Sequence, residues 1–208
     1  MLKGLYVITD EKLTPYDKIF DMVEQALKGG AKLVQLRDKN NTDDFLLPIA
    51  KDLKNLCHKY GALFIVNDRL ELTLKSGADG IHVGEEDVDI SEIRRVLKDK
   101  IVGVSCYGDV ERAILMERLS ATYVAFGSFY PSPTKPKSKV IDKSVITEAK
   151  RFLKIPVCVI GGITVERAKE LVKLGADLVA VISDIWTAEN IKERASEYVE
   201  LFRGEKII

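Results

Sequence analysis

Short apolar runs alternate with longer amphipathic stretches along the whole chain. The runs cover residues 5–9, 32–36, 63–66, 80–83, 101–105, 123–126, 157–160 and 178–182. Each is too short for a helix and apolar at nearly every position, as expected of parallel strands covered on both faces. Stretches such as 16–28, 43–60 and 165–174 are long enough to cross back as helices between such strands. The pattern is therefore strand–helix, repeated.

The repeat has an internal echo. GGAKLVQLR begins at Gly29, SGADGIHVG at Ser76 and LGADLVAVIS at Leu174. In each, a glycine suited to ending a helix precedes an alanine, a polar residue and an apolar strand. Gly30 and Gly77 are 47 residues apart, and Gly77 and Gly175 are 98 apart, close to two and four units of about 25 residues. A chain of 208 residues holds eight such units. The expected fold is a closed (β/α)8 TIM barrel with outer helices, forming a single domain over 1–208. The alternative, a doubly wound open sheet, is disfavoured by the even spacing and by the lack of a GxGxxG after the first strand.

Composition narrows the class. Lys and Arg number 32, and Asp and Glu 32, so the net charge is zero. Wholesale binding to nucleic acid or to an anionic membrane would need a basic excess. No apolar stretch approaches the eighteen or so residues of a membrane span. Cys57, Cys106 and Cys158 are far apart and only two histidines occur, which disfavours a disulfide framework or a structural zinc site. A reducing cytoplasm is the expected location. Cys106 and His82 read as packing residues. Scarce glutamine with abundant lysine and glutamate suggests thermostability.

In a barrel of this kind, chemistry belongs to the loops beyond the carboxyl ends of the strands. The alternation of Gln35, Arg37 and Lys39 puts them on one strand face. A basic face at a strand end suits an anion, phosphate above all. The alternative is a solvated end or an ion pair with Asp10. Asp68 and Asp87 follow adjacent strands, so two carboxylates can converge on one cation, and Mg²⁺ shared with a diphosphate fits. The alternatives are a helix cap at Asn67 or Asp68 and a solvated acidic turn at 85–87. Ser105 closes the fifth strand. The loop at 127–139 carries three prolines with Ser132, Thr134 and Lys135, a candidate lid. Gly161-Gly162 and Ser183 follow the last two strands, where barrels often hold a phosphate. Two anion sites on one rim result.

These residues also carry a resemblance. YVITD at Tyr6, QLRDK at Gln35, NDR at Asn67, GADGIHVGEED at Gly77, GVS at Gly103, FGSFYPSPTK at Phe126, IGGI at Ile160 and GADLVAVIS at Gly175 occur in order over essentially the whole chain. Together they resemble the thiamine-phosphate synthase family. The resemblance implies a Mg²⁺-assisted transferase that joins an aminopyrimidine methyl diphosphate to a thiazole phosphate, free or carboxylated. Its partners would be these small molecules, with no nucleic acid and no membrane. It further implies that Gln35, Arg37, Lys39, Asn67 and Lys135 bind the pyrimidine diphosphate and that Asp68 and Asp87 hold Mg²⁺. Ser105 would contact the pyrimidine, and Ser132, Thr134, Gly162, Ile182 and Ser183 the thiazole phosphate. Catalysis would fall to Arg37, Lys39, Ser105 and Lys135.

Four positions depart from the family pattern, the first being Tyr130 in place of a phenylalanine. Ser132 replaces a threonine, Glu85 a glutamine, and Tyr107 a histidine that serves proton transfer in the related thiazole tautomerases. The other readings are a tautomerase-like barrel and a non-catalytic binder of phosphate ligands.

Overall fold

The computed structural model describes residues 1–84 and 89–203. Eight parallel strands form a closed barrel in chain order, β1 (Gly4–Ile8), β2 (Leu33–Leu36), β3 (Leu63–Asn67), β4 (Gly80–Val83), β5 (Ile101–Tyr107), β6 (Tyr123–Phe126), β7 (Val157–Val159) and β8 (Leu178–Val181). β8 closes onto β1, with Tyr6 opposite Ala180 and Val7 opposite Val181. The connecting helices are α1 (Ile19–Lys28), α2 (Asp43–Lys59), α3 (Leu70–Ser76), α4 (Ile90–Leu97), α5 (Val110–Arg118), α6 (Ser144–Phe152), α7 (Val165–Lys173), α8 (Ser183–Trp186) and α9 (Ile191–Arg203). The (β/α)8 expectation holds, and no helix among the described residues is long and apolar enough to cross a membrane.

Strand periodicity divides the core in two. Leu5, Val7, Val34, Leu36, Phe64 and Val66 point outward and pack under the helices. Tyr6, Ile8, Leu33, Ile65, Tyr123, Ala125 and Cys158 point into the barrel. The inward set is not wholly apolar. Gln35 lies in it at 2% exposure, and by the same parity His82 and Ser105 follow Gly80 and Gly103. The glycines make room: a Cβ on Gly103 would lie 2.0 Å from Cζ of Tyr123.

Helix starts follow capping chemistry. The side chains of Thr42, Asp89, Asp109 and Thr164 accept hydrogen bonds from the exposed N–H groups of the first turns of α2, α4, α5 and α7. Gly77 ends α3 in the left-handed conformation, at φ 70°.

The echoed Gly-Ala-Asp has a structural task beyond the turn. The Asp79 carboxylate accepts from Phe64 N–H at 2.8 Å, and the Asp177 carboxylate from Val157 N–H at 2.9 Å and from Lys150 Nζ at 2.8 Å. Thr122 does the same for Val102, with Oγ1 3.0 Å from the amide. Each side chain thus satisfies a donor at the amino end of the preceding strand, where the ladder leaves one unpaired. All three cysteines are buried and free.

Candidate active site

A cavity of about 1150 Å³ opens at the carboxyl ends of the strands. Gln35, Arg37, Lys39, Asn67, Asp68 and Ser105 line one side. Ser132, Thr134 and Lys135 of the β6–α6 loop, with Gly162, Ile182 and Ser183, line it as well. Every candidate residue named from the sequence is in this wall except Asp87, which lies outside the described residues, as does Glu85.

The basic corner forms differently from the strand-face expectation. β2 ends at Leu36, so Arg37 and Lys39 belong to the loop beyond it. That loop is tied around Asp38, which is 3% exposed. The Asp38 carboxylate accepts from Asn40 N–H and Asn41 N–H, each at 2.8 Å, from Asn41 Nδ2 at 2.7 Å and from the Tyr16 hydroxyl. Burial alone would raise the Asp38 pKa, but these donors outweigh it and hold the carboxyl well below the usual range. Arg69 completes the knot, donating to the Asp38 carbonyl at 2.8 Å. Arg37 N–H donates to Thr9 Oγ1 at 3.0 Å. The Asp10 carboxylate is turned to its own loop, accepting from Lys12 N–H and Leu13 N–H, rather than to the cations.

Lys39 pairs instead with Asp68. Asp68 adopts a left-handed φ of 62°, a conformation aspartate tolerates, and its N–H donates to the His82 carbonyl at 2.8 Å. It does not cap α3, whose start at Arg69 has no side-chain cap. Lys135 completes the corner. Its pKa is lowered by burial first and then by the charges of Arg37 and Lys39, with Asp68 opposing. Among the described residues, Arg37, Lys39 and Lys135 thus gather beside Asp68 at one corner of the cavity. Beneath them Asn67 Nδ2 is buried with no partner among the described residues. An unsatisfied donor under a cationic rim is a site awaiting an acceptor.

The opposite corner is built from backbone. Gly161 and Gly162 have φ of 103° and 62°, and a Cβ on Gly162 would lie 2.3 Å from the Pro131 carbonyl oxygen. The β6–α6 loop therefore rests directly on bare main chain. It is held there by Tyr130, whose N–H donates to the Gly161 carbonyl at 3.2 Å. The Tyr130 ring lies under Arg167, 4.7 Å away, and Lys143, 5.3 Å away. Neither helix nor strand forms between β6 and α6. α8 begins at Ser183 and is anchored by Trp186, whose Nε1–H donates to the Ile8 carbonyl at 2.7 Å.

Sequence reasoning missed the polar floor. His82 is not mere packing: its two ring nitrogens lie 2.8 Å from Tyr123 Oη and 2.8 Å from Ser105 Oγ. The available signal was parity, since His82 stands two residues after Gly80 just as Ser105 stands two after Gly103. β5 also runs to Tyr107 rather than Ser105, with a register shift between the two.

Residues 5–185 match the family profile of thiamine monophosphate synthase. A thiamine-phosphate synthase of Wolinella succinogenes is 42% identical over 99% of this chain and 96% of its own length. The chain belongs to the thiamine-phosphate synthase family. A second relative, the thiamine-phosphate synthase of Nitrosococcus oceani, is 40% identical over 97% of this chain and 93% of its own. The solved thiamine phosphate pyrophosphorylase of Pyrococcus furiosus superposes with a TM-score of 0.88 at 35% identity, covering 97% of this chain and 96% of that one. Membership makes the protein a transferase of thiamine biosynthesis, and its cavity lies at the carboxyl ends of the strands, where barrels of this fold carry their active sites.

Proposed function

We propose that the protein joins 4-amino-2-methyl-5-(diphosphooxymethyl)pyrimidine to 4-methyl-5-(2-phosphoethyl)thiazole, giving thiamine phosphate and diphosphate. The observation that carries the assignment of the corners is the gathering of Arg37, Lys39 and Lys135 around Asp68, above an Asn67 amide that has no partner among the described residues. A diphosphate is the ligand whose charge and acceptor number suit that corner. The smaller phosphate of the thiazole falls to Ser132, Thr134, Gly162, Ile182 and Ser183. Gln35 and Ser105 orient the pyrimidine.

In the reaction the methylene C–O bond breaks, and diphosphate leaves with the bonding pair. The thiazole nitrogen supplies the pair for the new C–N bond. Arg37, Lys39 and Lys135 stabilise the charge that grows on the departing group. Holding both reactants in one cavity supplies the proximity. No side-chain nucleophile is required.

Mg²⁺ suits the donor chemistry. No cluster of three His, Cys, Asp or Glu side chains occurs among the described residues, but Mg²⁺ takes only one or two carboxylates and completes its shell with water and phosphate oxygens. Asp68 offers one hard oxygen donor, and Asp87 is the second proposed ligand. When bound, the ion neutralises charge on the diphosphate.

The test is turnover in Asp68→Ala and Asp87→Ala. Each is expected to lose at least about 100-fold, roughly 2.7 kcal/mol of barrier. Near-normal rates in both would refute the metal assignment. Titration calorimetry with the pyrimidine diphosphate, with and without Mg²⁺, separates this reading from a non-catalytic binder. Metal-independent binding without turnover would favour the binder.

A further inference from the structure

Five polar side chains from five strands form one unbroken chain across the barrel floor. Gln35 Nε2 donates to Tyr6 Oη at 2.8 Å. Tyr6 Oη and Tyr123 Oη are 2.7 Å apart. Tyr123 Oη lies 2.8 Å from His82 Nδ1, and His82 Nε2 lies 2.8 Å from Ser105 Oγ. Tyr6 and Tyr123 are fully buried, and the His82 ring stacks on Tyr123. Gln35 and Ser105, the two ends, both line the cavity.

Counting protons gives this chain a direction. A phenol hydroxyl has one proton, a neutral imidazole has one, and an amide nitrogen can only donate. Tyr6 receives from Gln35, so its own proton must go to Tyr123. Tyr123 must then pass its proton to His82 Nδ1, which is therefore bare. The imidazole proton resides on Nε2 and is given to Ser105 Oγ. The reverse order would need the Gln35 amide turned over, with its oxygen towards Tyr6 Oη. The backbone keeps the space: only glycine at position 103 admits the Tyr123 ring, since a Cβ there would lie 2.3 Å from Oη.

We propose that Tyr6, Tyr123 and His82 are positioning residues that make Ser105 a hydrogen-bond donor towards the cavity, so that the group recognised there is an acceptor, a ring nitrogen of the aminopyrimidine rather than its amino group. The substrate half of this inference rests on the proposed function, whereas the direction of the chain does not. Having accepted from His82, Ser105 Oγ has its own proton free, and the cavity is the side open to it. The long chain of neutral bonds also fixes the Ser105 rotamer before substrate arrives.

The direction is read without activity. In ¹⁵N-labelled protein at neutral pH, only His58 and His82 contribute ring signals, and His58→Gln, at a surface pair with Asp79, assigns them. His82 is expected to carry its proton on Nε2. A proton on Nδ1 would reverse the chain and overturn the proposal. For the substrate half, two pyrimidine diphosphate analogues replace one ring nitrogen each by C–H. One is expected to bind about tenfold more weakly than the parent in the unaltered protein, the loss of one hydrogen bond.

In Tyr123→Phe the pyrimidine KM is expected to rise about tenfold with the thiazole phosphate KM unchanged, and the analogue's penalty to vanish. Equal binding of both analogues, or the same penalty in Tyr123→Phe, would overturn it. If Ser105→Ala binds the pyrimidine normally while Nε2 holds the proton, the pyrimidine contact is wrong and the substrate half falls, leaving only the chain's direction. The signals of the unaltered protein decide the direction even if Tyr123→Phe fails to fold.

Discussion

Gly162 separates backbone strain from site geometry. At φ 62° an alanine costs about 1 kcal/mol in conformational strain. Its Cβ would also lie 2.3 Å from the Pro131 carbonyl oxygen and 2.8 Å from Tyr130 Cβ. Ordinary contact needs about 3.4 Å, so the β6–α6 loop must retreat by about 1 Å. That loop carries Ser132, Thr134 and Lys135. A displacement of about 1 Å in a positioned group can cost about 100-fold in rate, roughly 2.7 kcal/mol of barrier. Gly61 is the control, because it has φ 71° and nothing within 4 Å of an added Cβ. Gly61→Ala should lower Tm by about 2–4 °C and leave kinetics alone. Gly162→Ala should lower Tm at least as much and reduce kcat/KM about 100-fold, with the larger KM rise for the thiazole phosphate. Diphosphate release, with each substrate varied in turn, is the assay. If Gly162→Ala has the kinetics of Gly61→Ala, the loop does not form the site.

Two further outcomes concern stability. Asp177→Ala leaves the buried Val157 N–H without its side-chain acceptor and Lys150 without its pair. About 2 kcal/mol should be lost, or about 4–8 °C in Tm, with turnover unchanged because the residue is at the end of the barrel opposite the cavity. For Asp38, the folded pKa lies below the unfolded value near 4, so its stabilisation is complete above about pH 4 and is lost as pH falls further. Asp38→Asn should therefore be less stable than the unaltered protein at pH 7, with the gap narrowing below about pH 4 in urea midpoints. An equal gap at pH 3 and pH 7 would contradict the hydrogen-bonded carboxylate.

The fold was legible because each strand is a local apolar run and each helix end has local chemistry. Strand positions agree within a residue or two even where β7 is only Val157–Val159. The site was legible for a related reason, since every barrel strand delivers its next few residues to one rim. Arg37 and Lys39 show the limit. Alternation assigned them to a strand face, but a loop knotted around Asp38 holds them, and the knot draws on Tyr16 and Arg69 from other segments. The floor was invisible for a similar cause. Tyr6 and Tyr123 are 117 residues apart, and only ring closure brings their hydroxyls together. The β5 irregularity needs the partner strand before it can be seen, so Ser105 was read as the strand's end.

β3 is worth following from one end to the other. Phe64 is held by the Asp79 carboxylate, and three residues later the Asn67 amide, without a partner among the described residues, is offered to whatever fills the cavity. About 10 Å of extended chain separates a seam that keeps the cylinder shut from a hand held out to a ligand. The rim can thus be rebuilt to suit a different guest while the stitching at the far edge stays as it is. Durability and taste are inscribed on one strand without competing for the same atoms.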